Sequence, residues 1–129
     1  MKKTIFILLL SGLIAACQES LEDKCAREAR EYTEKKCPAP IGENVVIDSM
    51  AFDRQTRTLH YYYTMNVSTD SEAAINTSDA YKLLLSQIRN ATSIKDYKDA
   101  GYNFAYTYRS AKDKAKILFE ATFTPKDYK

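Results

Sequence analysis

The sequence predicts an α+β fold: a two-layer domain in the order α-β-β-α-β-β, with an antiparallel four-stranded sheet and both helices on one face. Three observations predict it. Residues 21–36 and 78–91 space their apolar side chains three and four apart, the period of a helix half-buried against a core. Residues 45–52, 58–67, 102–109 and 115–124 are rich in β-branched and aromatic side chains, the composition of strands, and the last three alternate as a half-buried strand does. Within each pair of strand segments the connection, 53–57 or 110–114, is short and polar, as hairpins require. A chain of 129 residues builds one small domain rather than several.

The first helix, residues 21–36, puts Leu21, Cys25, Ala29 and Tyr32 on one face and pairs Asp23 with Arg27 and Glu31 with Lys35 at i, i+4. It ends at Cys37-Pro38-Ala39-Pro40-Ile41-Gly42, because each proline lacks an N–H and biases its predecessor out of the helical region. Either this helix starts after Cys25, or Cys25 and Cys37 stay unbridged. An unbroken helix separates them by about 18 Å, far beyond the roughly 7 Å that a disulfide spans, and the continuous periodicity favours two free thiols. In the strand over 58–67, Leu59, Tyr61, Tyr63 and Met65 share one face and His60, Tyr62, Thr64 and Asn66 the other. The connection over 68–77 is polar, and Thr77 or Ser78 can cap a second helix whose stripe is Tyr81, Leu84, Leu85 and Ile88. Residues 92–101 form a loop or a frayed turn. Tyr102, Phe104, Tyr106 and Tyr108 then line one face of a third strand, and Ile117, Phe119, Ala121 and Phe123 one face of a fourth. Residues 125–129 are a polar tail.

The start of the chain has a separate purpose. Lys2 and Lys3 precede a twelve-residue uncharged run, 5–16, too short for the roughly 20 apolar residues that cross a bilayer and suited to a secretion signal. It closes on Ile14-Ala15-Ala16-Cys17, which resembles the lipobox of bacterial lipoproteins. That resemblance implies cleavage after residue 16, a lipidated Cys17, a tether over 17–20 and a single domain over 21–129. Several acyl chains make such an anchor effectively permanent. Gln18 departs from the aspartate that resembles an inner-membrane retention signal and so favours the outer membrane; Glu19, Glu22 and Asp23 resemble the acidic surface-export tether of Bacteroidota lipoproteins and equally suit a solvated helix N-terminus, so the anchored domain faces either the periplasm or the cell surface. Without residues 1–16 the chain has 113 residues with 17 basic and 17 acidic side chains, so the formal charge of +2 belongs to the signal. A balanced domain outside the cytoplasm is a poor partner for nucleic acid.

The segment from Cys37-Pro38 through Thr58-Leu59-His60-Tyr61-Tyr62-Tyr63-Thr64 resembles small envelope lipoproteins with a Leu-x-Tyr-x-Tyr strand, and the α-β-β order resembles secreted lactamase-inhibitor-like domains in fold alone. Neither implies a catalytic residue. The only histidine, His60, sits mid-strand, where a triad lacks its converging partners. One histidine and no clustered cysteines leave no transition-metal site, Asp96 and Asp99 read as a solvated loop, and two glycines after the signal make no phosphate loop, so no cofactor is expected. Lysines 112, 114 and 116 alternate in the second hairpin and discourage edge pairing. Asp48-Ser49-Met50 resembles the short O-glycosylation signal of Bacteroidota.

Ten tyrosines are the unusual feature of the composition. Most fall on core faces. Tyr62, with His60 and Thr64, points to the uncovered sheet face, where Arg109 and Glu120 join it; these five residues form the expected interaction face. The expected function is a lipid-anchored, non-catalytic interaction module at the outer membrane with an unknown envelope protein as partner. An enzyme inhibitor or immunity-type protein and a small-ligand or glycan-binding module are the alternatives.

Overall fold

The computed structural model describes residues 19–66 and 76–129. Helix α1 (Leu21–Lys36) is capped by Ser20, whose side chain accepts from the Asp23 amide, and its first and last turns carry acidic and basic residues respectively, as the helix dipole favours. Strands β1 (Ala39–Gly42), β2 (Val45–Asp53) and β3 (Thr58–Met65) follow, then helix α2 (Thr77–Asn90), a short helix α3 (Lys95–Asp99), strands β4 (Asn103–Ser110) and β5 (Ile117–Phe123), and a terminal turn of helix α4 (Pro125–Tyr128). The mixed α+β class and the two long helices agree with the sequence.

Three features of the architecture differ. The sheet has five strands in the order β1-β2-β3-β4-β5, because the proline-rich stretch after α1 pairs antiparallel with β2 as an edge strand, the place where prolines are tolerated in sheets. The sheet is also not wholly antiparallel. β3 and β4 run parallel from Thr58↔Asn103 to Met65↔Ser110, since the connection through α2 and α3 is long enough to return the chain to the same end of the sheet. Finally, the C-terminal residues are not a free tail. Thr124 and Asp127 form a capping box, and the buried Tyr128 donates its hydroxyl to the Tyr102 carbonyl at 2.7 Å, which docks α4 on the sheet.

The core lies between the helices and one sheet face: Cys25 and Ala29 of α1, Leu84 and Ile88 of α2, and Ile47, Leu59, Phe104, Phe119 and Phe123 of the strands. β1 covers the outer edge of β2 only as far as Ile47. Beyond it, the Thr33 hydroxyl of α1 accepts from the Met50 amide at 2.9 Å and lies 3.0 Å from the Met50 carbonyl, satisfying an edge that would otherwise be open. Lys98 closes the other helix, donating to the carbonyls of Ile88 and Arg89 at 2.8 and 3.1 Å. The side-chain cap of α2 is Asn76 rather than Thr77 or Ser78. Cys25 and Cys37 are free thiols at opposite ends of an unbroken α1.

Candidate functional site

Four of the core-face tyrosines form a stacked ladder across the two central strands. Tyr61 lies on Tyr106 and Tyr63 on Tyr108, with centroids 4.9 and 4.5 Å apart, and both pairs are in register across the parallel β3–β4 pair. Such rings are long. They carry their hydroxyls up between α1 and α2, and the helices above offer mainly Ala29, Leu84 and Ile88, too little side chain to close the layer. Two contiguous clefts result. The larger, about 480 Å³, lies between α1 and the α2–α3 connection, over Tyr61 and Tyr63 with Met50, Ile94 and Tyr97 on its walls. The smaller, about 260 Å³, lies between Ile41 of β1 and the Leu83–Gln87 turn of α2, over Tyr63 and Tyr108. Both are bordered by Ile41 and floored by Tyr63, so they form one apolar groove. Ile41 is 53% and Leu83 60% exposed at its rim.

Tyr63 is the centre of this groove. It is 8% exposed, and its hydroxyl makes no hydrogen bond among the described residues. No side-chain oxygen or nitrogen is both fully buried and unpartnered among those residues, so the Tyr63 hydroxyl is the part of the residue that reaches the groove. Burial pushes its phenol above the ordinary range, with the neighbouring Tyr108 and Tyr106 adding to the effect. Tyr97 differs: its hydroxyl donates to Glu28 at 2.7 Å across the groove wall. Cys25, buried at the base of the larger cleft, is pushed up to about 12 by burial and then by Glu28, so its thiol is inert rather than nucleophilic.

Among the described residues no helix covers the opposite sheet face, and His60, Tyr62, Thr64, Arg109 and Glu120 share it. Thr107, not among the five expected residues, links two of them, His60 and Glu120. It is 1% exposed; its hydroxyl donates to Glu120 at 3.0 Å and lies 2.7 Å from His60 Nε2. A carboxylate only accepts, so the Thr107 proton is committed to Glu120 and the His60 Nε2–H donates to Thr107. Tyr62 stacks on His60 at 4.0 Å and 9°. Burial holds the His60 imidazole below its ordinary value, Glu120 opposing and Arg109 reinforcing. Thr64 donates to Asp48 at 2.5 Å, and Arg109 turns to the Lys114 carbonyl at 3.1 Å. Strand alternation could have flagged Thr107, which lies on the Arg109 side of β4.

Among the described residues no three metal-ligating side chains gather, and no helix is long and apolar enough to cross a membrane. Asp96 and Asp99 are ion-paired with Lys24 and Lys95 on the surface. Residues 1–18, including Cys17, lie outside the described residues, as does part of the connection after β3.

The described residues form a small α+β domain with an open apolar groove on its helical side. The chain belongs to a family described as a domain of unknown function, DUF8479, which matches residues 20–119. No curated protein matches it. Among solved structures it is similar to a protein of Pseudomonas aeruginosa assigned as secreted, with TM-score 0.67 and 13% identity over 87% of this chain and 100% of that one. It is similar to the pilotin EpsS of the Vibrio vulnificus type 2 secretion system, with TM-score 0.66 and 13% identity over 84% of this chain and 92% of the other. The Vibrio cholerae type II secretion pilotin AspS gives TM-score 0.62 and 18% identity over 88% and 97%. At these identities the likeness is one of fold.

Proposed function

We propose that this protein is a lipid-anchored envelope module, non-catalytic and pilotin-like, that holds an apolar segment of a secretion-apparatus protein in the groove between α1 and α2. Residues 1–16 are the secretion signal, Cys17 carries the acyl chains, 17–20 are the tether, and 21–129 are the working domain at the outer membrane. The observation that carries this reading is the Tyr63 floor. A closed core would cover its tyrosine hydroxyls or pair them, whereas here Ile41 and Leu83 stand exposed beside a nearly buried phenol with no hydrogen-bond partner among the described residues. An incoming apolar segment would cover the rim and supply the missing hydrogen bond. The fold shared with two type II secretion pilotins supports a partner of that kind.

The test uses the full-length lipoprotein in its native membrane, comparing wild type with Leu83→Glu and with Thr122→Glu on the opposite face. The reading expects a secretion-apparatus component to co-purify with wild type and Thr122→Glu and to be lost from Leu83→Glu. Retention in Leu83→Glu with loss in Thr122→Glu would overturn it. Recovery of a stoichiometric enzyme would favour an inhibitor instead.

A further inference from the structure

The face opposite the groove carries a second cleft, about 380 Å³, near the β2–β3 turn. Its origin is a row of small residues. His60 stands in register between Ala51 on β2 and Ala105 on β4, with Thr122 next on β5. With only a methyl group on either side, the imidazole stands clear of its neighbours. One ring face is covered by Tyr62, and the other borders the space lined by Thr58 and Asp53.

The polar groups around this space have a one-sided character. The Thr107 bond holds His60 as the Nε2–H tautomer, so Nδ1 presents a lone pair, and the depressed imidazole basicity keeps that neutral form at neutral pH. Glu120 has spent one oxygen on Thr107. Asp53 uses Oδ1 for the amides of Gln55 and Thr56, which leaves Oδ2 to accept. The Thr58 hydroxyl proton is given to the Thr56 carbonyl at 3.3 Å. No lysine or arginine lines the cleft among the described residues, and Arg109, the cation on the same face, points to the Lys114 carbonyl. Acceptors and two carboxylates beside an open aromatic face select a planar cation rich in N–H donors.

We propose that this cleft binds a guanidinium group, stacked on the free face of His60 and hydrogen-bonded to Glu120, with the Asp53 carboxylate at the far end of the cleft adding negative charge. The same chemistry can be presented by an arginine side chain on a peptide or by a free small guanidino compound. The site is separate from the groove and stands whether or not the groove binds a secretion protein.

The experiment is an NMR titration of the full-length lipoprotein in detergent micelles, following the His60 ring and the methyls of Ala51 and Ala105. The probes are methylguanidinium, N-acetyl-arginine amide, N-acetyl-lysine amide and urea, the last being a neutral isostere. Saturable shifts with both guanidinium probes are expected, with urea inert and the lysine probe several-fold weaker. Glu120 is exposed, so Glu120→Gln folds, and it should weaken binding about tenfold or more by removing a charge-assisted pair. Tighter binding of the arginine amide than of methylguanidinium assigns the ligand to a peptide, and the reverse to a free compound. Equal responses to urea and methylguanidinium, no response at roughly 100 mM probe, a concentration at which even an affinity of about 4 kcal/mol would saturate the site, or an unchanged Glu120→Gln would overturn the proposal.

Discussion

Substituting Tyr63 with phenylalanine removes one oxygen from the groove floor and no hydrogen bond among the described residues. In a sealed core a tyrosine hydroxyl has a partner, and its loss is destabilising. Tyr128 provides the contrast within this molecule: its hydroxyl donates to the Tyr102 carbonyl at 2.7 Å in a buried setting. Tyr128→Phe leaves that carbonyl short of a partner and should cost about 1–3 kcal/mol. Tyr63→Phe relieves a partly desolvated hydroxyl of its burial and should be neutral or stabilising by up to about 1 kcal/mol. Urea unfolding reads the difference directly. With a slope of about 1–3 kcal/mol per molar, 1 kcal/mol moves the midpoint by roughly 0.3–1 M. Tyr128→Phe should unfold at clearly lower urea and Tyr63→Phe at the wild-type value or above. If Tyr63→Phe loses as much stability as Tyr128→Phe, the hydroxyl has a partner, the groove floor is ordinary core, and the reasoning fails.

Thr33→Val removes the hydroxyl that satisfies Met50 on the uncovered part of β2 and should cost about 1–2 kcal/mol in the same assay, with amide exchange at Met50 accelerated. Burial raises the phenols of Tyr61, Tyr63, Tyr97, Tyr102, Tyr106, Tyr108 and Tyr128, so the folded chain holds protons that the unfolded chain releases above pH about 10; stability is full below that value and falls as pH rises past it, and tyrosinate absorbance should lag in the folded protein and jump on unfolding. For His60 the sign reverses, because its folded value lies below 6.5: its contribution is present above 6.5 and is lost as pH falls through the folded value, which the single histidine resonance should report as a midpoint under 6.5. Cys17→Ser should release the protein from membranes and abolish labelling by a fatty-acid analogue, and retained labelling would contradict the anchor.

The elements that repeat a period over many residues were legible in the sequence. α1, α2 and the alternation of β3 and β4 need only one chain segment to declare themselves, and the placement of His60 with Tyr62 on one face and Tyr61 with Tyr63 on the other follows from strand geometry alone. What depended on distant partners was not legible. Ala39–Gly42 contains a proline and no alternation, and it is a strand only because β2 lies beside it. The parallel β3–β4 pairing depends on how far α2 and α3 carry the chain, not on the composition of either strand. The terminal residues are polar, yet Tyr128 finds the Tyr102 carbonyl, 26 residues earlier in the chain, and docks. The groove was hidden for a similar reason. Tyr63 belongs to a core face by alternation, and only the small residues above it turn core into floor. One signal was present: in Leu83-Leu84-Leu85 a single helical stripe cannot bury all three, and Leu83 is the one left at the rim.

Site-specific photo-crosslinking in living cells tests the central claim most directly. A photoreactive side chain at Ile41 or Leu83 lies over the groove, and one at Thr122 lies on the far face of the sheet. The account predicts a discrete adduct with a secretion-apparatus protein from Ile41 and Leu83 and none of that mass from Thr122. The same adduct from Thr122 alone, or no adduct from either groove position while Thr122 captures a partner, would contradict it.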